Sequence, residues 1–136
     1  MTSVIYIEDE AIEAMLFQMN MKKRGFAVLH IEEASPEALS ALEQDDYKAA
    51  VAIFVDQWIG GVSGSELAKS LRDKGEKRPL FLLTAGENPN PELLRSIQVR
   101  YVQKAPDFNR LAAQLKEMTA PPASTEQTPG NLDRSG

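Results

Sequence analysis

Side chains that could take part in phosphate chemistry follow hydrophobic stretches at four points of this sequence. Acids occupy residues 8–10 after the first stretch, Asp56 ends the third, Thr84 follows the fourth and Lys104 follows the fifth. Carboxylates gathered at one place repel each other, and Mg²⁺ relieves that repulsion through its preference for oxygen ligands. An Asp carboxylate can also act as a nucleophile and form an acyl phosphate. Together these residue types favour phosphoryl transfer to Asp56.

Taken singly, each of these residues also has an ordinary structural explanation. Acids before a helix complement its dipole and accept hydrogen bonds from its free N–H groups. Asp56 could begin an Asx turn, Thr84 could cap a strand end, and Lys104 could be a solvated surface charge. The interpretation as one site therefore depends on whether the fold brings the four positions together.

Hydrophobic and amphipathic segments alternate five times along the chain. We predict strands at residues 3–7, 26–31, 50–55, 80–83 and 99–103. We predict helices at residues 10–24, 35–46, 65–74, 91–97 and 107–118. This alternation predicts an α/β fold, a doubly wound five-stranded parallel sheet with helices on both faces. In such sheets ligands bind beyond the carboxyl ends of the strands, where the candidate positions fall.

The first predicted helix carries apolar residues at helical spacing. Ile12, Met15, Leu16 and Met19 recur at intervals of three and four residues, as on the buried face of a helix. We expect Met15, Met19 and Met21 to belong mainly to the core. The alternative is that part of this group faces a kinase, because Met side chains adapt to varied partners.

The bulk composition fits one domain followed by a polar tail. The chain has 136 residues, 43% of them hydrophobic, and no cysteine, which excludes disulfides and thiolate metal sites. From about Thr119 the sequence turns polar and proline-containing, so we predict a domain over residues 1–118 and a flexible tail over 119–136. A net charge of −5 argues against general nucleic-acid binding, and no apolar run suits a membrane span. The lone His30 is expected to pack within its strand.

Four motifs together resemble the receiver domain of bacterial response regulators, in its stand-alone, single-domain form. They are I-Y-I-E-D-E, F-V-D-Q-W-I-G-G-V-S-G-S-E-L, L-L-T-A-G and Y-V-Q-K-A-P, and the resemblance covers about residues 3–118. It implies a flavodoxin-like order of the five strands, 2-1-3-4-5. It also implies a signalling switch in the cytoplasm that at most dephosphorylates itself slowly, rather than an enzyme.

The resemblance implies a role for each residue of a Mg²⁺ site. Glu8 and Asp9 form the acidic pair, with Asp9 as a direct ligand. Asp56 is the phosphoacceptor and also a ligand, and the backbone carbonyl of Trp58 is the third protein ligand. The indole of Trp58 is either a partly exposed loop aromatic or a cover that limits the access of water to the phosphorylated residue.

The remaining implied roles concern the phosphoryl group and the response to it. Thr84 and Lys104 bind the phosphoryl group, and Tyr101 is the switch aromatic that turns inward when Thr84 moves. The phosphodonor would be a histidine kinase or a phosphotransfer protein, and the signal would pass to an unknown downstream protein by direct contact. Formation of a homodimer is left open.

Three features depart from the pattern usual in that family. Gly60 stands where a proline is usual in the loop after the phosphoacceptor, and Ala105 separates Lys104 from Pro106 where the family has a Lys-Pro pair. The segment between Thr84 and Lys104 is short, which predicts a shortened or shifted fourth helix. We therefore expect the phosphate lifetime and the signalling surface to differ from those usual in the family.

Rival functions fit the residues less well. A phosphatase with an Asp nucleophile usually has a second Asp two positions later, where this chain has Trp58. A flavin or nucleotide binder needs a glycine- or hydroxyl-rich loop after the first strand, and acids at residues 8–10 would repel phosphate there. A phosphorylation-independent interaction domain, or a phosphate sink or shuttle in a phosphorelay, remains as an alternative.

Overall fold

Five parallel strands form the central sheet of this computed structural model, which describes residues 1–86 and 90–119. The strands are β1 (Thr2–Ile7), β2 (Phe26–Ile31), β3 (Ile53–Asp56), β4 (Trp58–Ile59), β5 (Val62–Ser63), β6 (Leu80–Thr84) and β7 (Val99–Gln103). The central sheet has the order β2-β1-β3-β6-β7, whereas β4 and β5 form a separate hairpin. The predicted order of five parallel strands is thereby confirmed.

Helices cover both faces of this sheet. They are α1 (Ala11–Lys22), α2 (Pro36–Leu39), α3 (Asp45–Lys48), α4 (Gly64–Asp73), α5 (Pro91–Ser96) and α6 (Phe108–Thr119), with a 3₁₀ turn over Ser40–Glu43. One apolar core packs against α2, α4 and α5, and a second packs against α1 and α6. Because both faces are covered, β3 and β6 are buried at every residue, which explains their continuous apolar runs.

The second predicted helix is divided into short pieces. Ser35 caps its start as expected, because the Ser35 hydroxyl accepts a hydrogen bond from Ala38 N at 3.2 Å. Gln44 then adopts extended backbone angles, with ψ at 152°, and α3 begins anew after it. Arg78 donates to the carbonyl oxygens of Tyr47 and Ala50 at 2.6 and 3.2 Å, which holds the end of α3 against the start of β6. The prediction of one helix to residue 46 was therefore wrong.

The prediction for the buried face of α1 was also wrong. Four of its apolar side chains face outward: Ile12 is 68% exposed, Met15 49%, Leu16 48% and Met19 51%. The core face instead contains Phe17, whose ring lies 4.5 Å from that of Tyr6 and 5.1 Å from that of Phe54, measured between centroids. Met21 is fully buried, as predicted. Both faces of α1 carry apolar residues at helical spacing, and aromatic packing decides which one is covered.

A tight hairpin follows the end of β3. Ile59 pairs with Val62 in antiparallel register, and the two residues between them, Gly60 and Gly61, have φ angles of 55° and 85°. Two-residue hairpins of this hand require positive φ at both central positions, which glycine adopts without strain. Proline fixes φ near −65°, so the glycine at position 60 is explained by this turn.

The last third of the described chain contains the shortened helix that the sequence predicted. α5 has only six residues, as the short segment between Thr84 and Lys104 predicted. Ala105 has a φ of 54°, which costs an L-residue roughly 1–2 kcal/mol. Of the predicted tail only Thr119 is described, as the last residue of α6, and residues 120–136 lie outside the described part. None of the described helices combines the length and apolarity needed to cross a bilayer.

Gly64 allows the start of α4 to pack against the end of β3. A Cβ atom at this position would overlap the backbone oxygen of Asp56 and lie 2.8 Å from Leu82 Cδ1. The Gly64 N–H donates to the carbonyl oxygen of Gln57 at 2.6 Å, which closes the loop that contains the hairpin. The position of Asp56 therefore depends on the absence of a side chain at residue 64.

We expect Gly64→Ala to lower the free energy of unfolding by about 1–3 kcal/mol, the usual cost of overpacking. Helix propensity alone would raise the free energy of unfolding, because it favours Ala over Gly by about 1 kcal/mol. Urea denaturation measures the effect. Gly86→Ala is the matched control, because a Cβ there meets nothing within 4 Å. Equal unfolding midpoints for the two variants would contradict the prediction.

Candidate functional site

The carboxyl ends of four central strands bring the predicted residues to one edge of the sheet. Asp56 and Thr84 are the last residues of β3 and β6, and both are buried, at 5% and 7% exposure. Residues 8–10 follow β1, and Lys104 follows β7. The Lys104 N–H donates to the carbonyl oxygen of Thr84 at 2.8 Å, which ties the ends of β6 and β7 together.

Three carboxylates lie close enough to share a cation. Glu8, Asp9 and Asp56 each offer an oxygen atom, and these atoms lie within 4.8 Å of one another. Glu8 and Asp56 are buried, whereas Asp9 is exposed to solvent. Oxygen ligands of this kind suit a hard divalent cation such as Mg²⁺. The donor set therefore fits the cation that the sequence predicted.

Glu8 is the most deeply buried of the three acids. Its Oε1 accepts a hydrogen bond from the Tyr6 hydroxyl at 3.0 Å, and its Oε2 accepts one from the backbone N–H of Glu10 at 3.3 Å. Burial, together with the charge of Asp56, raises the pKa of Glu8 from 4.5 to about 7, although Lys104 acts in the opposite direction. Burial and the charge of Glu8 also raise the pKa of Tyr6.

The ammonium of Lys104 lies among carboxylates. Its Nζ atom is 2.8 Å from Asp56 Oδ1, 3.4 Å from Glu8 Oε1 and 3.4 Å from Glu13 Oε1. Desolvation alone would lower the pKa of Lys104, but the hydrogen bond and charge of Asp56, with the other two charges, raise it. The sequence analysis missed Glu13. Its position in the first turn of α1, just after the acidic run 8–10, is the signal that could have identified it.

The hairpin supplies backbone hydrogen bonds to two of the acids. The Gly60 N–H donates to Asp9 Oδ2 at 2.9 Å, and the Trp58 N–H donates to Asp56 Oδ2 at 3.2 Å. Both carboxylates are thus oriented by the segment directly after β3. The two oxygens of Asp56 have different partners, since Oδ1 faces Lys104 and Oδ2 faces the hairpin.

Thr84 and Tyr101 contact the same residue. Thr84 Oγ1 accepts a hydrogen bond from the Gly86 N–H at 3.3 Å, and the Tyr101 hydroxyl donates to the Gly86 carbonyl oxygen. Tyr101 is half-buried and packs beside the core under α4 and α5. A hydroxyl that accepts one hydrogen bond keeps its own hydrogen for donation, so Thr84 can still donate to a ligand.

An open cleft of about 390 Å³ reaches Asp56 from solvent. Its walls include Trp58, which is 60% exposed, together with Glu10, Glu13 and Lys104. The indole is therefore both an exposed aromatic of the hairpin and part of the cleft wall. His30 lies apart from the cleft in β2, where its Nε2 donates to the backbone oxygen of Glu8 at 2.6 Å.

Comparison of sequences finds relatives among bacterial regulators. The chain is 30% identical over 118 residues to the two-component response regulator PhoP of Pseudomonas aeruginosa, covering 85% of this chain and 50% of that protein. It is 26% identical over 116 residues to the uncharacterized transcriptional regulatory protein YkoG of Bacillus subtilis, covering 83% and 49%. The chain thus spans about half the length of these curated relatives. No family model matches it.

Comparison of structures finds the same architecture. A CheY-like receiver domain of a response regulator from Methylobacillus flagellatus superposes with a TM-score of 0.73 at 20% identity, covering 87% of this chain and 98% of that one. The receiver domain of the Francisella response regulator 1452 gives 0.72 at 20% identity, covering 87% and 96%. The Vibrio cholerae chemotaxis protein CheY4 gives 0.71 at 17% identity, covering 86% and 98%. At these identities the likeness shows the fold.

The raised pKa of Glu8 predicts how stability depends on pH in metal-free protein. Between pH 4.5, where the unfolded side chain ionises, and about 7, where the folded one does, the folded chain binds the extra proton. The free energy of unfolding therefore falls as pH rises through this window, by about 1–3 kcal/mol.

Urea denaturation across this pH range in the presence of EDTA measures the slope of the free energy of unfolding against pH. We expect Glu8→Gln to reduce the slope, because the amide resembles the protonated acid and does not titrate. Glu10→Gln, in an exposed position of the same turn, is the matched control and should keep it. An unchanged slope in Glu8→Gln would exclude Glu8 as its source.

Proposed function

Because the chain contains a receiver domain of the response regulator type, we propose that it is a signalling switch controlled by phosphorylation of Asp56. The observation that carries this proposal is the environment of the carboxylate. Asp56 ends a buried central strand, lies within 4.8 Å of two further acids and is 2.8 Å from the Lys104 ammonium, yet an open cleft reaches it. The proposed nucleophile, the proposed cation ligands and a positive charge suited to phosphate therefore lie together.

The proposed phosphodonor is a phosphohistidine side chain of a histidine kinase or a phosphotransfer protein. A carboxylate oxygen of Asp56 forms a bond to phosphorus while the bond from phosphorus to the imidazole nitrogen breaks, and that nitrogen keeps the electron pair. Such a transfer depends on positioning and on neutralisation of charge. When the other ring nitrogen of the phosphohistidine is protonated, the released imidazole is neutral, so the chain needs no acid of its own to expel it.

A divalent cation fits the acidic end of the cleft. Asp9 and Asp56, with the backbone carbonyl of Trp58, are the proposed ligands of Mg²⁺, and Glu8 completes the acidic group. When bound, the cation offsets the negative charge that carboxylates and phosphoryl oxygens bring together. Asp9 Oδ2 accepts the hydrogen bond from Gly60 N, and because a carboxylate has two oxygens, Asp9 can bind the cation while keeping this bond.

Lys104 and Thr84 are the proposed phosphoryl-binding residues. The ammonium of Lys104 pairs with Asp56 Oδ1 and can move its contact to a phosphoryl oxygen once that carboxylate is phosphorylated. Thr84, at the end of the neighbouring strand, can donate its hydroxyl hydrogen. These two side chains offset the nearly two negative charges that a phosphoryl group carries at neutral pH.

The response would begin at Gly86. A movement of the Thr84 hydroxyl toward the phosphoryl group gives up the hydrogen bond from Gly86 N–H, and the Gly86 carbonyl is the partner of the Tyr101 hydroxyl. Thr84 and Tyr101 are thus the proposed switch pair, linked through one backbone residue. The changed surface around α5 and β7 would then contact a downstream protein in the cytoplasm.

Mass spectrometry tests the phosphorylation itself. Incubation with acetyl phosphate and Mg²⁺ should add one phosphoryl group to the wild-type chain and none to Asp56→Ala. EDTA should abolish the addition, because the acidic group then lacks its cation. Equal addition to both proteins, or none to the wild type, would refute the proposal and favour an interaction domain that works without phosphorylation.

The lifetime of the phosphorylated state tests the role of Trp58. We expect Trp58→Ala to hydrolyse about 3–10-fold faster, because loss of about 1 kcal/mol from a barrier accelerates a reaction roughly fivefold. The decay of phosphorylated protein after removal of acetyl phosphate gives the rate. Trp58→Phe keeps an aromatic wall in the cleft and is the matched control. An unchanged rate in Trp58→Ala would mean that the indole does not limit the access of water.

A further inference from the structure

Glu13 is an acid of the Asp56 cleft that has no part in the proposed phosphorylation as described so far. It lies in the first turn of α1, its side chain is 43% exposed, and its Oε1 atom is 3.4 Å from the Lys104 ammonium. The described carboxylates that lie close enough to share a cation are Glu8, Asp9 and Asp56, and Glu13 is not among them. Glu13 therefore contacts the proposed phosphoryl-binding charge without belonging to the proposed cation site.

The ammonium of Lys104 is shared between that site and Glu13. It has three hydrogen atoms to donate, and it lies beside the carboxylates of Asp56, Glu8 and Glu13. With a divalent cation in the proposed site, the negative charges of the buried acids are offset, whereas the carboxylate of Glu13 keeps its attraction for the ammonium. A phosphoryl group on Asp56 therefore competes with Glu13 for Lys104.

The charges that line the cleft are mostly negative. The acids are Asp9, Glu10, Glu13 and Asp56, and the single base among the lining residues is Lys104. Clefts lined by charge of mainly one sign concentrate the electric field and change the local concentration of charged ligands. A phosphodonor that enters this cleft is therefore repelled more strongly when it carries more negative charge.

We propose that Glu13 is a specificity-determining residue for the phosphorylation of Asp56. By holding the Lys104 ammonium and repelling phosphoryl oxygens, its carboxylate disfavours phosphodonors of high negative charge. The favoured donors have phosphorus bonded to a nitrogen group that carries a proton, as in a phosphohistidine ring, because that proton offsets part of the phosphoryl charge. This inference rests on the proposed phosphorylation of Asp56 and adds the residue that selects the donor.

Two small phosphodonors differ in the property that Glu13 is proposed to sense. The nitrogen of phosphoramidate is protonated at neutral pH, whereas acetyl phosphate has no such nitrogen and keeps the full charge of its phosphoryl group. In either reaction an oxygen of Asp56 forms a bond to phosphorus. The P–N bond of phosphoramidate breaks to release ammonia, the P–O bond of acetyl phosphate breaks to release acetate, and each leaving group keeps the electron pair. Both donors thus give the same phosphorylated Asp56.

The ratio of the two initial rates, with acetyl phosphate and with phosphoramidate in the presence of Mg²⁺, tests the proposal. Mass spectrometry of quenched samples measures each rate. We expect Glu13→Gln to raise the ratio of the acetyl phosphate rate to the phosphoramidate rate by about 2–5-fold, the factor that corresponds to loss of one exposed charge interaction. A general defect in folding would slow both reactions alike and would not raise this ratio.

Glu37→Gln is the matched control. It makes the same change in the first turn of another helix, α2, at an exposed residue that does not line the cleft. The ratio should equal that of the wild type. A ratio in Glu13→Gln that equals the control, or lies below it, would overturn the proposal.

Glu10→Gln separates the contact with Lys104 from the charge of the cleft in general. Glu10 lines the same cleft, but the acids paired with Lys104 are Glu8, Glu13 and Asp56. We therefore expect a smaller change of the ratio in Glu10→Gln than in Glu13→Gln. An equal or larger change would overturn the role of Glu13 as the residue that acts through Lys104.

The same measurements distinguish failure of this inference from failure of the proposed function. If neither donor phosphorylates the wild-type chain, the proposed phosphorylation of Asp56 is wrong and the role of Glu13 falls with it. If both donors phosphorylate the wild type and the ratio is unchanged in Glu13→Gln, only the role of Glu13 is wrong.

Discussion

The electrostatic contact of the Lys104 ammonium with three carboxylates is the interaction on which the rest of this structure depends. Lys104 lies 2.8 Å from Asp56 and 3.4 Å from both Glu8 and Glu13. Glu8 and Asp56 are buried, with carboxylate oxygens within 4.8 Å of each other. Burial of two neighbouring negative charges is unfavourable without a compensating positive charge. Three of the four strand ends at the site contribute to this contact, because Glu8 follows β1, Asp56 ends β3 and Lys104 follows β7. Glu13 adds a contact from α1, so the amine also links the sheet to a helix.

The segment after β3 must meet two structural requirements at once. It must turn back at once so that α4 can pack against the sheet, and it must present N–H groups to acids. The hairpin satisfies both, because two glycines with positive φ reverse the chain within two residues. The same turn brings the Gly60 N–H to Asp9, so that an exposed carboxylate already has a partner in the absence of a cation. A proline at that position would remove both the turn and the donor.

The sequence predicted the sheet and the convergence of Asp9, Asp56, Thr84 and Lys104 because these features depend on continuous apolar strands and on the geometry of parallel sheets. It did not predict which side of α1 is buried, because apolar residues recur at helical spacing on both sides. The rings of Tyr6, Phe54 and Phe108, which other elements of the fold supply, select Phe17 for the core. The broken second helix likewise depends on Arg78, which comes more than thirty residues later and holds the carbonyl of Tyr47. Long-range contacts of this kind leave no local signature.

The paired hydrogen bonds of Gly86 have a mechanical consequence. Its N–H and its carbonyl belong to different peptide planes, which are joined only by the two torsions of that residue, and no atom crowds the space where a side chain would be. In the proposed switch, rotation about these two torsions of Gly86 can accommodate part of a movement of Thr84, so that only the remainder reaches Tyr101. The coupling between Thr84 and Tyr101 would therefore depend on the backbone flexibility of residue 86, independently of the chemistry at Asp56. Substitutions at residue 86 would then change how strongly Thr84 is coupled to Tyr101 while leaving Asp56 and its neighbours in place.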